Sequence, residues 1–166
     1  MRTRPLPART MACTLAAMLL ATPALARNDR VMLDWQDVLG GPEAKTRLAV
    51  DVALRFGDGS TPAAAERKEV FQANRIARAS DVTLCQQTRR GYSQQACDAA
   101  SCRAAATEAL AELQKRAREV GADAAVEVVS NYQGNAFGSA TQVECHAGGT
   151  GGHVSIRATL VRLGRP

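Results

Sequence analysis

Hydrophobic positions along this chain keep two rhythms, and the change from one to the other comes at a glycine. From Cys102, the residues Ala106, Ala109, Leu110, Leu113, Ala117 and Val120 recur at helical spacing. At about 100° per residue they fall within an arc of roughly 100°, the width of a core-facing stripe. Arg103, Glu108, Glu112, Lys115, Arg116, Arg118 and Glu119 lie off that arc, with Glu112 set to pair with Arg116 one turn on. Asp98 is the expected N-cap and Gly121 the expected left-handed stop. Beyond Gly121 the period becomes two: Ala124, Val126 and Val128 oppose Ala125, Glu127 and Val129, in a strand predicted to reach Tyr132. A one-sided helix feeding a strand predicts a helix lying on a sheet.

The same alternation marks other strands. Leu48, Val50, Val52, Leu54 and Phe56 alternate without a fault, giving the clearest half-buried strand, which the loop 57–62 ends. Residues 69–78 are read as a strand returning beside it. Residues 31–39 form a short apolar segment with the chain's one tryptophan, Trp35, and Pro42 opens a helical turn after it. Residues 80–95 are polar and read as a long loop, tied down by a disulfide. Residues 133–138 read as a hairpin connection before a strand with Val143 and Cys145, and 147–152 as a flexible glycine link. Val154, Ile156, Ala158 and Leu160 then alternate in a final strand. The prediction is a single α+β domain over residues 27–166. It has a mostly antiparallel sheet of about four or five strands and one long helix on one face.

The first residues change the compartment. Arg2, Arg4 and Arg9 precede an apolar run over 11–20, and Ala24-Leu25-Ala26 offers a small-residue cleavage site. This is the layout of a secretory signal peptide over residues 1–26, with an apolar core too short to span a bilayer. The expected product begins at Arg27 and is periplasmic or secreted, with no transmembrane segment. Its loss of three arginines leaves 18 basic against 16 acidic residues, so the net charge falls from +5 to +2. With 4% aromatic residues and no basic cluster interleaved with them, nucleic acid is excluded as a partner. Cys13 leaves with the leader, and four cysteines remain in an oxidising compartment.

Cys102-Arg103, Ala109-Leu110, Leu113-Gln114, Arg116-Ala117, Gly121-Ala122-Asp123-Ala124, Val129-Ser130-Asn131-Tyr132 and Glu144-Cys145-His146-Ala147-Gly148 carry a resemblance. From about Val31 to the C-terminus the chain resembles small exported proteins of Gram-negative bacteria that often bear the label "excinuclease ATPase subunit". It departs from them at Asp123, where Asn is usual, and over 149–152, where they are more apolar. More remotely the helix–Gly–strand core is similar to the lipoprotein sensor of the Rcs envelope-stress pathway, and to small proteins described as heavy-metal-binding. The resemblance implies this fold and this compartment. The label does not suit the residues. ATP hydrolysis of that type needs G-x-x-x-x-G-K-[ST], and Lys45, Lys68 and Lys115 follow Ala, Arg and Gln.

No catalytic residue is indicated. A thiol–disulfide enzyme calls for C-x-x-C, whereas Cys97 and Cys102 are five apart. Cys145 and His146 are adjacent on a strand and point to opposite faces, so they form no nucleophilic pair. Four cysteines allow three pairings. Cys102 sits on the helix stripe and Cys145 on the strand face of Val143, so both point into one interface, and the resemblance retains both positions. The expected pairs are Cys102–Cys145 and Cys85–Cys97. His146 and His153 flank the glycine link and are the candidate metal ligands, for zinc or copper. The function expected is a non-enzymatic envelope binding module without a cofactor, its partner an envelope protein or envelope component. The alternative is a periplasmic metal-binding module using the two histidines.

Overall fold

The computed structural model describes residues 27–87 and 93–164. The predicted leader and the Arg89-Arg90-Gly91 turn lie outside the described residues. Helix α4 (Gln94–Glu119) is the long helix, and it begins four residues before the expected cap. Ser93 is the N-cap, its hydroxyl accepting from the Ala96 N–H at 3.2 Å. Asp98 is therefore inside the helix, where it serves an ion pair instead of a cap. Gly121 has φ +69°, the left-handed conformation that stops a helix, and the Ala122 N–H returns to the Ala117 carbonyl at 2.8 Å.

The stripe of α4 lies on one face of a seven-stranded sheet. Its strands are β1 (Asp29–Asp34), β2 (Ala53–Phe56), β3 (Glu66–Arg78), β4 (Ala124–Tyr132), β5 (Asn135–Phe137), β6 (Gln142–Gly148) and β7 (Gly151–Arg162). All pairings are antiparallel except β2 with β4. β7 is the hub. β3 runs along one of its edges, while β6 pairs its first residues and β4 its later ones on the other. The sheet curls where β6 and β4 diverge. The class is α+β, and the core is one cluster containing Cys102, Ala106, Ala109, Leu110, Leu113 and Ala117 against Val143, Cys145, Val154, Ile156, Ala158 and Leu160.

Several local expectations are corrected. Residues 31–39 divide into β1 and a turn of helix, α1 (Trp35–Leu39), while Pro42 opens α2 (Pro42–Arg47) as expected. The strand expected over 48–56 is only β2, and Val50 is fully exposed. The reason is Gln114 of α4. Its amide accepts from the Ala49 N–H at 2.8 Å and donates to the Ala49 and Val52 carbonyls, occupying groups a ladder would otherwise use. β3 exists, but it pairs with β7 and not with β2. Residues 80–95 are not one loop: a 3₁₀ turn (Ala79–Asp81), helix α3 (Thr83–Gln86) and the start of α4 fall within them.

In β4 the alternation is broken by a bulge at Glu127, which has φ +51°. Ala124 and Val126 pack with Val161 on the outer face, while Val128, expected beside them, turns toward α4. The displaced Glu127 N–H is satisfied by the Ser60 hydroxyl at 2.7 Å. The glycine link is also not flexible. It is a two-residue turn closed by the Gly148–Gly151 pair, and a Cβ on Gly152 would stand 2.6 Å from the Cys102 nitrogen and 2.7 Å from the Ser101 carbonyl carbon. Glycine is required there because helix backbone rests directly on the strand.

Both disulfides fasten α4. Cys102–Cys145 joins it to β6 with Cα atoms 5.8 Å apart, and Cys85–Cys97 joins it to α3 at 4.6 Å. Two disulfides fit an oxidising compartment outside the cytosol. They close loops of 43 and 12 residues, which chain entropy values at about 4 and 3 kcal/mol. Replacing Cys102 and Cys145 together by Ala should therefore lower stability in urea more than replacing Cys85 and Cys97. Equal losses would contradict that ranking. Gly152→Ala should destabilise by about 1–3 kcal/mol through the forced displacement of α4. Gly149→Ala, with open space around it, should be close to neutral in the same melt.

Candidate functional site

β6 and β7 place the two histidines. His146 and His153 are direct cross-strand partners, so both side chains stand on the same face of the sheet, opposite to α4. Tyr132, at the end of β4, touches both rings. Its ring stacks on His146 with centroids 3.5 Å apart and meets His153 edge-on at 5.4 Å. The expected pair is thus brought together, with an aromatic ring that sequence reasoning did not assign to it.

The ring nitrogens of His146 have protein partners. Nε2 lies 2.9 Å from Glu144 Oε1, and Nδ1 lies 3.2 Å from Asn28 Oδ1. Glu144 also pairs with Arg30 at 3.0 Å. Burial, and then the facing His146, push His153 below its ordinary value, which favours the neutral imidazole. Among the described residues, no group of three or more His, Cys, Asp or Glu side chains is arranged to hold a metal ion. The site offers at most two imidazoles, one of which would first have to release Glu144 or Asn28.

Two open hollows of the surface are lined by side chains of both charges. One, about 810 Å³, lies at the C-terminal end of α4 beside Asp51, Arg118, Asp123 and Arg162. Arg118 forks onto Asp51 with two 3.0 Å bonds, and Arg162 donates to the Gly121 carbonyl at the end of the helix. A second hollow of about 560 Å³ lies between α2, α3, α4 and β3, with Ile76, Val82 and Leu84 below a rim of mixed charge.

At the other end of α4, Arg27 forks onto Asp98 with bonds of 2.6 and 2.7 Å. Asp98 is one turn before Cys102, on nearly the same line of the helix, and its side chain is 9% exposed. Its phase was the only signal for this role. The Arg27 guanidinium, followed by an amide from Gln94, holds the Asp98 carboxyl below the usual carboxylate range against the effect of burial. A depressed carboxylate contributes stability above its unfolded pKa, about 3.9, and that contribution is lost as pH falls through the lower folded value. Asp98→Asn should therefore cost about 1–2 kcal/mol at pH 6, moderated because Arg27 is one-third exposed, and much less at pH 2. Urea melts of both proteins at the two pH values measure this. A gap that does not narrow in acid would refute the ion-pair account.

No protein-family model, curated protein or solved structure matches this chain.

Proposed function

We propose that this protein is an exported, non-enzymatic binding module of the bacterial cell envelope. The observation that carries the reading is the double disulfide anchoring of α4 to β6 and α3, which suits a domain that must stay rigid outside the cytosol. The leader-like residues 1–26 and the resemblance to exported envelope proteins support the same compartment, the periplasm. Open hollows lined by charges of both signs favour recognition of a protein or envelope component over turnover of a small molecule. ATP-dependent DNA work has no support in the residues, since the glycine stretch 148–152 leads into a strand, with Gly148, Gly151 and Gly152 packed against protein.

The second reading, a metal-binding module, rests on the cross-strand placement of His146 and His153. Burial favours the neutral form of His153, the form that ligates.

Three measurements test these readings. Protein recovered from the periplasmic fraction should have the intact mass of a chain beginning at Arg27, and in vivo crosslinking should capture a recurring envelope partner. Full-length chain in the cytosol would overturn the compartment, and repeated crosslinking without a partner would count against the binding role. Calorimetry with zinc and copper separates the second reading. Micromolar binding lost in both His146→Ala and His153→Ala would establish it, and no binding would remove it.

A further inference from the structure

β3 is the longest strand, and among the described residues it has a partner on one side only, β7. The direction of its backbone groups follows from its end. The Ala79 N–H donates to the Thr150 carbonyl at 3.0 Å, which makes Arg78 and Gly151 a non-hydrogen-bonded pair. Ala77, Arg75, Ala73 and Phe71 therefore turn their N–H and C=O groups toward β7. Val70, Gln72, Asn74 and Ile76 turn theirs outward. The Arg75 guanidinium donates to the Asn74 carbonyl at 2.9 Å, a side chain standing where a neighbouring strand would. Val70 and Ile76 are 53% and 59% exposed, although both are large and β-branched. A long, regular edge of this kind is a template for another strand.

The charges on β3 identify which strand fits. On the α4 side, Glu69 pairs with Arg116 at 2.8 Å and Arg75 with Glu112. An antiparallel pairing of β3 with a second β3 about a two-fold axis at Gln72 sets Glu69 opposite Arg75 of the other copy, twice. Moving the axis to Phe71 or Ala73 sets Glu69 opposite an alanine instead. In the first register Arg116, Glu69, Arg75 and Glu112 line up across the junction with alternating sign. The outward groups of Val70 then meet those of Asn74, and Gln72 meets itself.

We infer that the free edge of β3 is a homodimer interface, at which two copies pair antiparallel about Gln72 to form one continuous sheet. The contact is isologous and closes on itself, so it gives a dimer and not a fibre. It stands independently of the binding-module reading.

Sedimentation velocity on the oxidised protein tests this directly. A monomer–dimer equilibrium at micromolar protein, weakened by salt, is expected. Asn74→Pro removes an outward N–H and no bond to β7, so the monomer's near-ultraviolet circular dichroism should persist while dimer affinity falls about tenfold or more. Glu69→Arg and Arg75→Glu should each weaken self-association. An equal mixture of the two should restore a dimer, because every opposed pair is again of opposite sign. That mixture decides the matter even if Asn74→Pro fails to fold. A wild-type monomer at all concentrations, or a dimer indifferent to the charge reversals and their mixture, would overturn the inference.

Discussion

The backbone of α4 at Ser101 and Cys102 rests on β7 at Gly152, and this contact sets the spacing between helix and sheet. Every other stripe residue is chosen to suit that short distance. Ala105, Ala106, Ala109 and Ala117 are fully buried and small, and only Leu110 and Leu113 reach far into the strands. Small side chains suffice under the helix, and the aromatics of the same cluster are Trp35, with Phe56 and Phe71 packed against it. The same proximity brings Cys102 within disulfide reach of Cys145 on the neighbouring strand. Thin packing and covalent fastening are two consequences of one contact.

Polar side chains complete what the short strands leave open. Gln114 stands in for a strand along residues 49–52, and Ser60 satisfies the amide displaced by the bulge at Glu127. Arg27 closes over the first turns of α4 by holding Asp98. Each answers a buried backbone or charged group that would otherwise be unpaired.

The helix, its glycine stop, the final strand and the Cys102–Cys145 pair were legible because each depends on local periodicity or on which face a residue occupies, and Cys85–Cys97 followed by elimination. What was not legible depends on contacts remote in sequence. The alternation of residues 48–56 is perfect, yet Gln114 takes the groups that a longer strand would need. The phase of β4 reverses at Glu127 because its displaced amide finds Ser60, 67 residues away. The stretch 147–152 has the composition of a loose link, and only the position of α4 shows that Gly152 is an approach surface. For the histidines, cross-strand proximity was within reach of the sequence. The stacking of Tyr132 and the engagement of Asn28 were not, since those partners come from two other segments, whereas Glu144 lies two residues away on the same face of β6.

A domain whose helix is fastened by disulfides at its contact with Gly152 and one turn before it suits the envelope role proposed above, in which surfaces and edges meet other chains while the core stays fixed. If the seating of α4 on β7 governs the fold, the amides of both should open only with the whole domain. Native-state hydrogen exchange measures this directly. The account predicts that the slowest amides lie at 105–113 in α4 and 154–160 in β7, and that reducing the disulfides lowers their protection together. Slowest exchange in β1 or β3, or an α4 that opens while β7 stays protected, would contradict it.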